Sequence, residues 1–449
     1  MNNNTIDYSA LGFQPTKNMN HLPSPVKRIA MLSVHTCPLA MMGGKKTGGM
    51  NVYVRDLARE LGRQGFVVDV FTRSEDECQP QVKHDLGYGG RVIHVKAGPE
   101  VPVRPPEIIA HINEFVEGLL AFAAEENVQY DIIHSHYYLS GLVAEKLKSE
   151  WEATYQKQIP IVQMFHTLGH MKNKINPRPE ERAPQERIDA ESHIIQNVAD
   201  IITSPTKAEI GQLQKLYGAD VSKIRILPPG VDLNRFIPEP QHMAKRKVGI
   251  DPNGFNIMFV GRIEPLKGID TLIEAAAILR HHHPEEMKDA YFTIVGGDPW
   301  AENPAVEMAR LQALRHDLNV EDIVGFVGAK NQNELPTYYA AADVVVMPSH
   351  YESFGMVALE SMAMGTPVIA SEVGGLAHLV QDGVTGFHIP PRSADALAHK
   401  LCDMLFNPPL REKLGQQARQ VAMGYDWACI AERMQEVYTE ASMALSQQI

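Results

Sequence analysis

Carboxylates and cations cluster at a few strand-to-helix junctions of this chain. Glu352 and Glu360 lie in Pro348-Ser349-His350-Tyr351-Glu352-Ser353-Phe354-Gly355-Met356-Val357-Ala358-Leu359-Glu360. Two carboxylates there could hold the hydroxyls of a polar ligand through charge-assisted hydrogen bonds. A helix cap and a surface charge would give the same letters. Gly261-Arg262-Ile263-Glu264-Pro265-Leu266-Lys267-Gly268 supplies two cations. At a strand's carboxyl end, Arg262 and Lys267 would neutralise a diphosphate, above all one departing as a leaving group. A solvated basic turn is the plainer reading. The run Gly43-Gly44-Lys45-Lys46-Thr47-Gly48-Gly49 precedes Met50-Asn51. Its glycines let a phosphate or sugar approach the backbone, and the helix start offers unpaired N–H groups. It matches neither the dinucleotide fingerprint G-x-G-x-x-G nor the Walker loop, which disfavours a nicotinamide dehydrogenase and a P-loop ATPase. His166 closes the apolar run Ile161-Val162-Gln163-Met164-Phe165, at a sheet edge where ligands bind. A histidine satisfied at a strand end is the alternative.

The elements that must hold these residues alternate. Apolar, β-branched runs predict strands at 26–34, 67–72, 91–95, 132–135, 161–165 and 200–204. After Leu227-Pro228-Pro229-Gly230, further strands are expected at 256–260, 291–295, 323–327, 344–347 and 368–370. Asn51 to Gly65 reads as a helix with Val54, Leu57, Ala58 and Leu61 on one face. The β-α-β rhythm implies an α/β protein with parallel, doubly wound sheets. Four prolines and a glycine within 228–240 suit an interdomain linker. The predicted organisation is an arm over 1–25 and two Rossmann-like domains, 26–229 and 230–426, facing each other across a cleft. The helical end, about 427–449, could pack back on the first domain. Glu352 then falls in a loop at a strand's carboxyl end and Glu360 in the next helix.

The chain has 449 residues, 44% hydrophobic and 21% charged, enough for two or three domains. A formal net charge of −12 argues against nucleic-acid or anionic-membrane partners. It leaves room for an anionic small ligand gripped by local cations. Cys37, Cys78, Cys402 and Cys429 are too scattered for a disulfide framework or a zinc spacing. The polar residues 1–25 lack a signal-peptide core, and no apolar stretch approaches a bilayer span, so a cytoplasmic protein is expected. His281-His282-His283 before Pro284 reads as a solvated helix end rather than a metal site.

Gly261-Arg262 with Lys267, and Glu352 with Glu360, resemble the donor-site signature of retaining, GT-B-fold glycosyltransferases of family 4. Leu227-Pro228-Pro229-Gly230-Val231-Asp232 with Phe236, Ala341-Ala342-Asp343, Gly365-Thr366-Pro367-Val368-Ile369-Ala370 and Gly374-Gly375 are similar to it as well. The likeness runs over about residues 26–440. Gly48-Gly49-Met50-Asn51-Val52-Tyr53, His134-Ser135-His136-Tyr137-Tyr138-Leu139-Ser140-Gly141 and His166-Thr167-Leu168 with Lys172-Asn173 most resemble two groups. These are inositol-phosphate N-acetylglucosaminyltransferases and sucrose-phosphate synthases. The segment 172–187 as a whole matches neither pattern well.

The resemblance implies that Arg262 and Lys267 grip the donor diphosphate and that Glu360 holds the ribose hydroxyls. It places Glu352 beside the donor sugar, with Phe354 and Gly355 in the same loop, and His166 at the reaction centre. Gly49 and Asn51 would bring the first helix to the donor phosphate and the acceptor. Arg104, Tyr137, Thr167 and Arg187 are candidates for an acceptor phosphate. The implied reaction moves a hexosyl group from a nucleotide sugar, UDP-glucose or UDP-N-acetylglucosamine, to a phosphorylated small acceptor such as inositol phosphate or fructose 6-phosphate. No D-x-D motif occurs, which agrees with cations replacing a metal, and no cofactor is expected. Two alternatives stay open. One is a general family 4 glycosyltransferase acting on a non-phosphorylated sugar or lipid-linked acceptor. The other is a GT-B sugar-nucleotide epimerase.

Overall fold

The computed structural model describes residues 26–40, 48–175, 182–301 and 305–446. The expected arm over 1–25, residues 43–47 of the glycine run and 176–181 of the 172–187 segment lie outside them.

The first sheet contains β1 (Arg28–Leu32), β2 (Val67–Arg73), β3 (Val82–Gly87), β4 (Gly90–Val95), β5 (Ile132–His136), β6 (Ile161–Met164), β7 (Ile201–Ser204) and β8 (Ile224–Ile226). Their order is β3-β4-β2-β1-β5-β6-β7-β8. Neighbours are parallel except β3 and β4, which form an antiparallel hairpin. Helices cover both faces, so central strands such as Ile132-Ile133-His134-Ser135-His136 are buried along their whole length. Leu32, Phe71, Phe115 and Trp151 fill the core on one side. Ile29, Met31, Leu57 and Leu61 fill it on the other.

The second sheet contains β9 (Phe255–Val260), β10 (Ala290–Val295), β11 (Val324–Gly328), β12 (Val344–Met347), β13 (Val368–Ser371) and β14 (Gly386–Ile389). Its order is β11-β10-β9-β12-β13-β14, and every pair is parallel. Strand order reverses between β9 and β12, and in the first sheet between β1 and β5. Such switch points open a crevice at the strands' carboxyl ends. The loops leaving β9 and β12 carry Arg262, Lys267 and Glu352. The segments leaving β1 and β5 lead to Gly49 and Tyr137.

The final helical stretch is two helices, Pro408–Met423 and Trp427–Ser446. The last one leaves the second domain and packs on the first. Trp427, Ile430, Met434, Tyr438 and Ala441 share a core with Tyr53, Leu57 and Leu61. Full burial of each large apolar side chain contributes about 1.5–3 kcal/mol, which is what holds this helix there. The chain therefore crosses between domains twice, and the crossings touch. Val231 N donates to Tyr425 O at 2.8 Å. A Cβ on Gly230 would lie 2.6 Å from the Trp427 ring, so only glycine fits the first crossing.

Candidate active site between the two domains

The donor half is built on adjacent strands. After β9, the 3-10 turn Pro265–Lys267 brings Lys267 toward the loop that follows β12. Lys267 Nζ donates to Glu352 Oε2 at 2.5 Å, both side chains about four-fifths buried. The Glu352 loop is pinned from behind. Gly375 N donates to Glu352 O at 2.8 Å. Gly374 stands at φ 49°, and a Cβ on it would lie 2.0 Å from that same carbonyl oxygen. Gly355 opens the helix Met356–Ala363 from left-handed backbone, φ 107°. Phe354 turns its ring into the second domain's core, 5.9 Å from the Tyr425 ring. There it anchors the loop.

Arg262 is half exposed and pairs with Glu264 at 2.7 Å. Its Nε lies 3.9 Å from where a Cβ on Gly48 would stand, and Met356 Sδ lies 3.2 Å from the same point on Gly49. The glycine-led start of the first helix, Gly49–Arg63, thus abuts the donor loops of the other domain. Farther along that helix, Arg55 is bidentate to Asp56 at 2.7 and 2.9 Å and also donates across the interface to Gln332. Arg235 reaches the same Gln332 oxygen at 2.8 Å.

Glu360 lies beneath this contact, 6% exposed. Tyr339 OH donates to its Oε2 at 2.6 Å. Burial pushes its carboxyl up to about 7, and Asp56 adds to the shift, while the Tyr339 hydrogen bond, Arg235 and Arg55 oppose it. A carboxyl so placed holds its proton in mild acid and accepts from hydroxyls once ionised.

In the first domain, three of the four acceptor candidates converge. Arg187, on the helix Gln185–His193, is 4% exposed. It donates to Thr167 O at 2.8 Å and to Thr167 Oγ1 at 3.1 Å, and its guanidinium lies 4.7 Å over the Tyr137 ring. Its Nε pairs with the buried Glu191 at 2.7 Å. Glu191 also accepts from Gly169 N at 2.8 Å and from Tyr217 OH. Asn51 is buried in the first helix, donating to Thr36 Oγ1 at 2.7 Å and Cys37 O at 2.8 Å, and accepting from Gly48 N at 3.0 Å. Arg104 stands apart. It is 83% exposed and paired with Glu107 at 2.6 Å.

His166 follows β6 with φ 61°, and Tyr137 follows β5 with φ 73°. Left-handed backbone at a bulky residue costs roughly 1–3 kcal/mol, and such strain collects at functional sites. Two strained residues at the carboxyl ends of neighbouring strands point to this edge independently of any motif. His136 Nδ1 and His166 Nε2 are 3.0 Å apart. Burial pushes His166 down to about 3, with His134 and His35 adding to the shift, so its imidazole is neutral at ordinary pH.

Residues 241–421 match the family described as Glycosyl transferases group 1, and residues 47–235 match Glycosyltransferase Family 4. A D-inositol 3-phosphate glycosyltransferase of Kribbella flavida is 38% identical over 423 residues, 94% of this chain and 97% of the relative. This chain is a family 4 glycosyltransferase. An Acidothermus cellulolyticus protein of the same name is 39% identical, covering 93% of this glycosyltransferase and 91% of the relative. Among solved structures, sucrose-phosphate synthase from Thermosynechococcus elongatus superposes with TM-score 0.81 at 33% identity, over 93% of this chain and 100% of that one. Anabaena HepE, solved with UDP-glucose, shares the fold at TM-score 0.70 and 20% identity, over 92% and 99% of the two chains. The expected GT-B fold is the one observed. No helix among the described residues is long and apolar enough to cross a membrane.

Several residues around the glycosyltransferase site escaped the sequence reading. Tyr339, Arg55 and Arg235 act on Glu360 from distant positions, with Gln332 accepting from both arginines, and no local spacing announces them. Glu191 was legible in principle, since it stands four residues after Arg187 on one helix face. His134 and His136 alternate on β5 and so share a face of the sheet.

Proposed function

We propose that this glycosyltransferase moves a hexosyl group, with retention, from UDP-glucose or UDP-N-acetylglucosamine to a phosphorylated small acceptor such as inositol phosphate or fructose 6-phosphate. It would work in the cytoplasm, without a metal or other cofactor. The observation that carries the acceptor is the Arg187 group. A buried guanidinium, a hydroxyl from Thr167 and a ring from Tyr137 meet at the sheet edge, and Arg is suited to bidentate recognition of phosphate. Relatives named for D-inositol 3-phosphate and a neighbour named for sucrose phosphate support the same chemistry.

In this reading Arg262 and Lys267 hold the diphosphate, and Glu360 accepts from the ribose hydroxyls. Glu352, already tied to Lys267, accepts from hydroxyls of the donor sugar. The acceptor hydroxyl attacks the anomeric carbon on the face from which the nucleotide leaves. The bond to the diphosphate breaks as the new C–O bond forms, and the proton passes to the departing phosphate oxygen. The protein contributes positioning and stabilisation of the leaving group's charge. Contact between the domains excludes water, which would otherwise take the sugar.

The test is a matrix of both donors against inositol 3-phosphate, fructose 6-phosphate and their unphosphorylated forms, with product read by mass spectrometry and EDTA present throughout. Product only from phosphorylated acceptors is expected. Thr167→Val should raise the acceptor KM about tenfold, the effect of one hydrogen bond to a charged group, while UDP affinity stays put. Equal use of free and phosphorylated acceptors would instead indicate a general family 4 activity. Conversion of donor alone would indicate an epimerase.

A further inference from the structure

A buried imidazole chain runs from the C-terminal helix to His166. Tyr438, on the helix Trp427–Ser446, faces β5, and its hydroxyl lies 2.7 Å from His134 Nδ1. His134 and His136 point to the same face, their ring centroids 4.2 Å apart. His136 Nδ1 then meets His166 Nε2 at 3.0 Å. Tyr53 packs edge-on against both His136 and His166, and Trp427 packs edge-on against Tyr53. His134 and His136 are fully buried.

Each ring carries a single proton, because burial keeps all three imidazoles neutral. Where that proton sits follows from the unpaired atoms. His134 Nε2 and His136 Nε2 are buried with no hydrogen-bond partner among the described residues. A buried N–H without a partner is rarer and more costly than a bare acceptor. The proton of His136 therefore sits on Nδ1, where it has a partner, and His136 Nδ1–H donates to His166 Nε2. His166 Nε2 is then an acceptor, and its own proton is on Nδ1.

We propose that His136, backed by His134 and Tyr438, is a positioning residue that fixes His166 as the Nδ1–H tautomer. His166 then enters the reaction as a hydrogen-bond donor and not as a base. The catalytic consequence rests on His166 acting at the reaction centre as proposed above. The tautomer itself does not, since it can be read without turnover.

The experiment is NMR of the full chain labelled with 15N in its imidazoles, with His166 assigned by difference against His166→Asn. The expected result is a protonated Nδ1 and an acceptor Nε2 on His166. His136→Leu should lose that pattern and lower kcat by about 10²-fold, the scale for losing one oriented donor, with little change in the nucleotide-sugar KM. His136→Asn keeps an N–H near Nδ1 and should recover most of the loss. Melting temperature is followed for both variants, so a misfolded protein is recognised. Should His136→Leu fail to fold, the wild-type and His136→Asn spectra still decide. Proton on His166 Nε2 in the wild type overturns the inference, as does equal kcat in folded Leu and Asn variants. If no acceptor is turned over but His166 shows the Nδ1–H pattern, the proposed reaction fails and the tautomer assignment stands.

Discussion

On the donor side of the interface, the cations meant for the ligand keep more solvent contact than the one on the acceptor side. Arg262 is 45% exposed and paired with Glu264, and Lys267 is 19% exposed and paired with Glu352. On the acceptor side, the Arg187 side chain is 5% exposed, stacked on Tyr137 and locked to Glu191. An exposed pair such as Arg262–Glu264 is worth little and exchanges partners easily, and the Lys267–Glu352 pair lies between the two extremes. A buried pair resists rearrangement, because moving one member strands the other's charge. The donor half can thus reorganise its ion pairs around an incoming diphosphate. The acceptor half is set before any ligand arrives.

The sharpest way to break this contrast is to remove one cation from each side. Arg187→Ala should lower unfolding free energy by about 3–5 kcal/mol, because Glu191 is left buried without its charge partner. Arg187→Met combined with Glu191→Gln should recover much of that. Urea denaturation measures both, and a near-neutral Arg187→Ala would end the idea of a preset acceptor side. Arg262→Ala should instead change stability by less than about 1 kcal/mol. It should lower kcat/KM by about 10²–10³, the range for one preorganised electrostatic group. Steady-state kinetics on the folded variant tests this.

A smaller effect concerns pH. Glu360 holds its proton up to about 7 in the folded chain. Its ionised form is the better acceptor for ribose hydroxyls, so UDP should bind severalfold more tightly at about pH 8 than at about pH 6. Titration of the nucleotide's own phosphate also favours binding at higher pH. Glu360→Gln should therefore flatten the profile without levelling it. Calorimetric titration of both proteins measures the difference, and superimposable profiles would take Glu360 off the ribose.

The two sides also differ in how openly the sequence declares them. The donor half was legible because two short motifs each follow a strand, and those strands, β9 and β12, are neighbours in the sheet. Its loop residues carry their chemistry in their letters. The acceptor half joins Tyr137, Thr167 and Arg187 from three elements, and only the fold brings them together. Arg104 shows the limit. The sequence offers it as a candidate for the acceptor phosphate, and the structure pairs it with Glu107 on the surface. Among strands, β3, β8 and β14 were not anticipated. The first carries Lys83, His84 and Asp85 on a half-exposed edge, so no apolar run marks it. The other two are short, and β14 begins on a glycine. The long strands buried on both faces were the easy ones.

The return of the last helix to the first domain has a consequence for how the protein is made. Tyr53, Leu57 and Leu61 present an apolar face whose cover is Trp427–Ser446. During synthesis, residues 26–226 leave the ribosome well before that cover exists. At about 5–20 residues per second, the gap is roughly 10–40 s. Throughout it, part of the first helix's apolar surface in the emerging first domain stays without its cover. That face is covered only when Trp427–Ser446 docks, so a segment translated long afterwards completes the first domain.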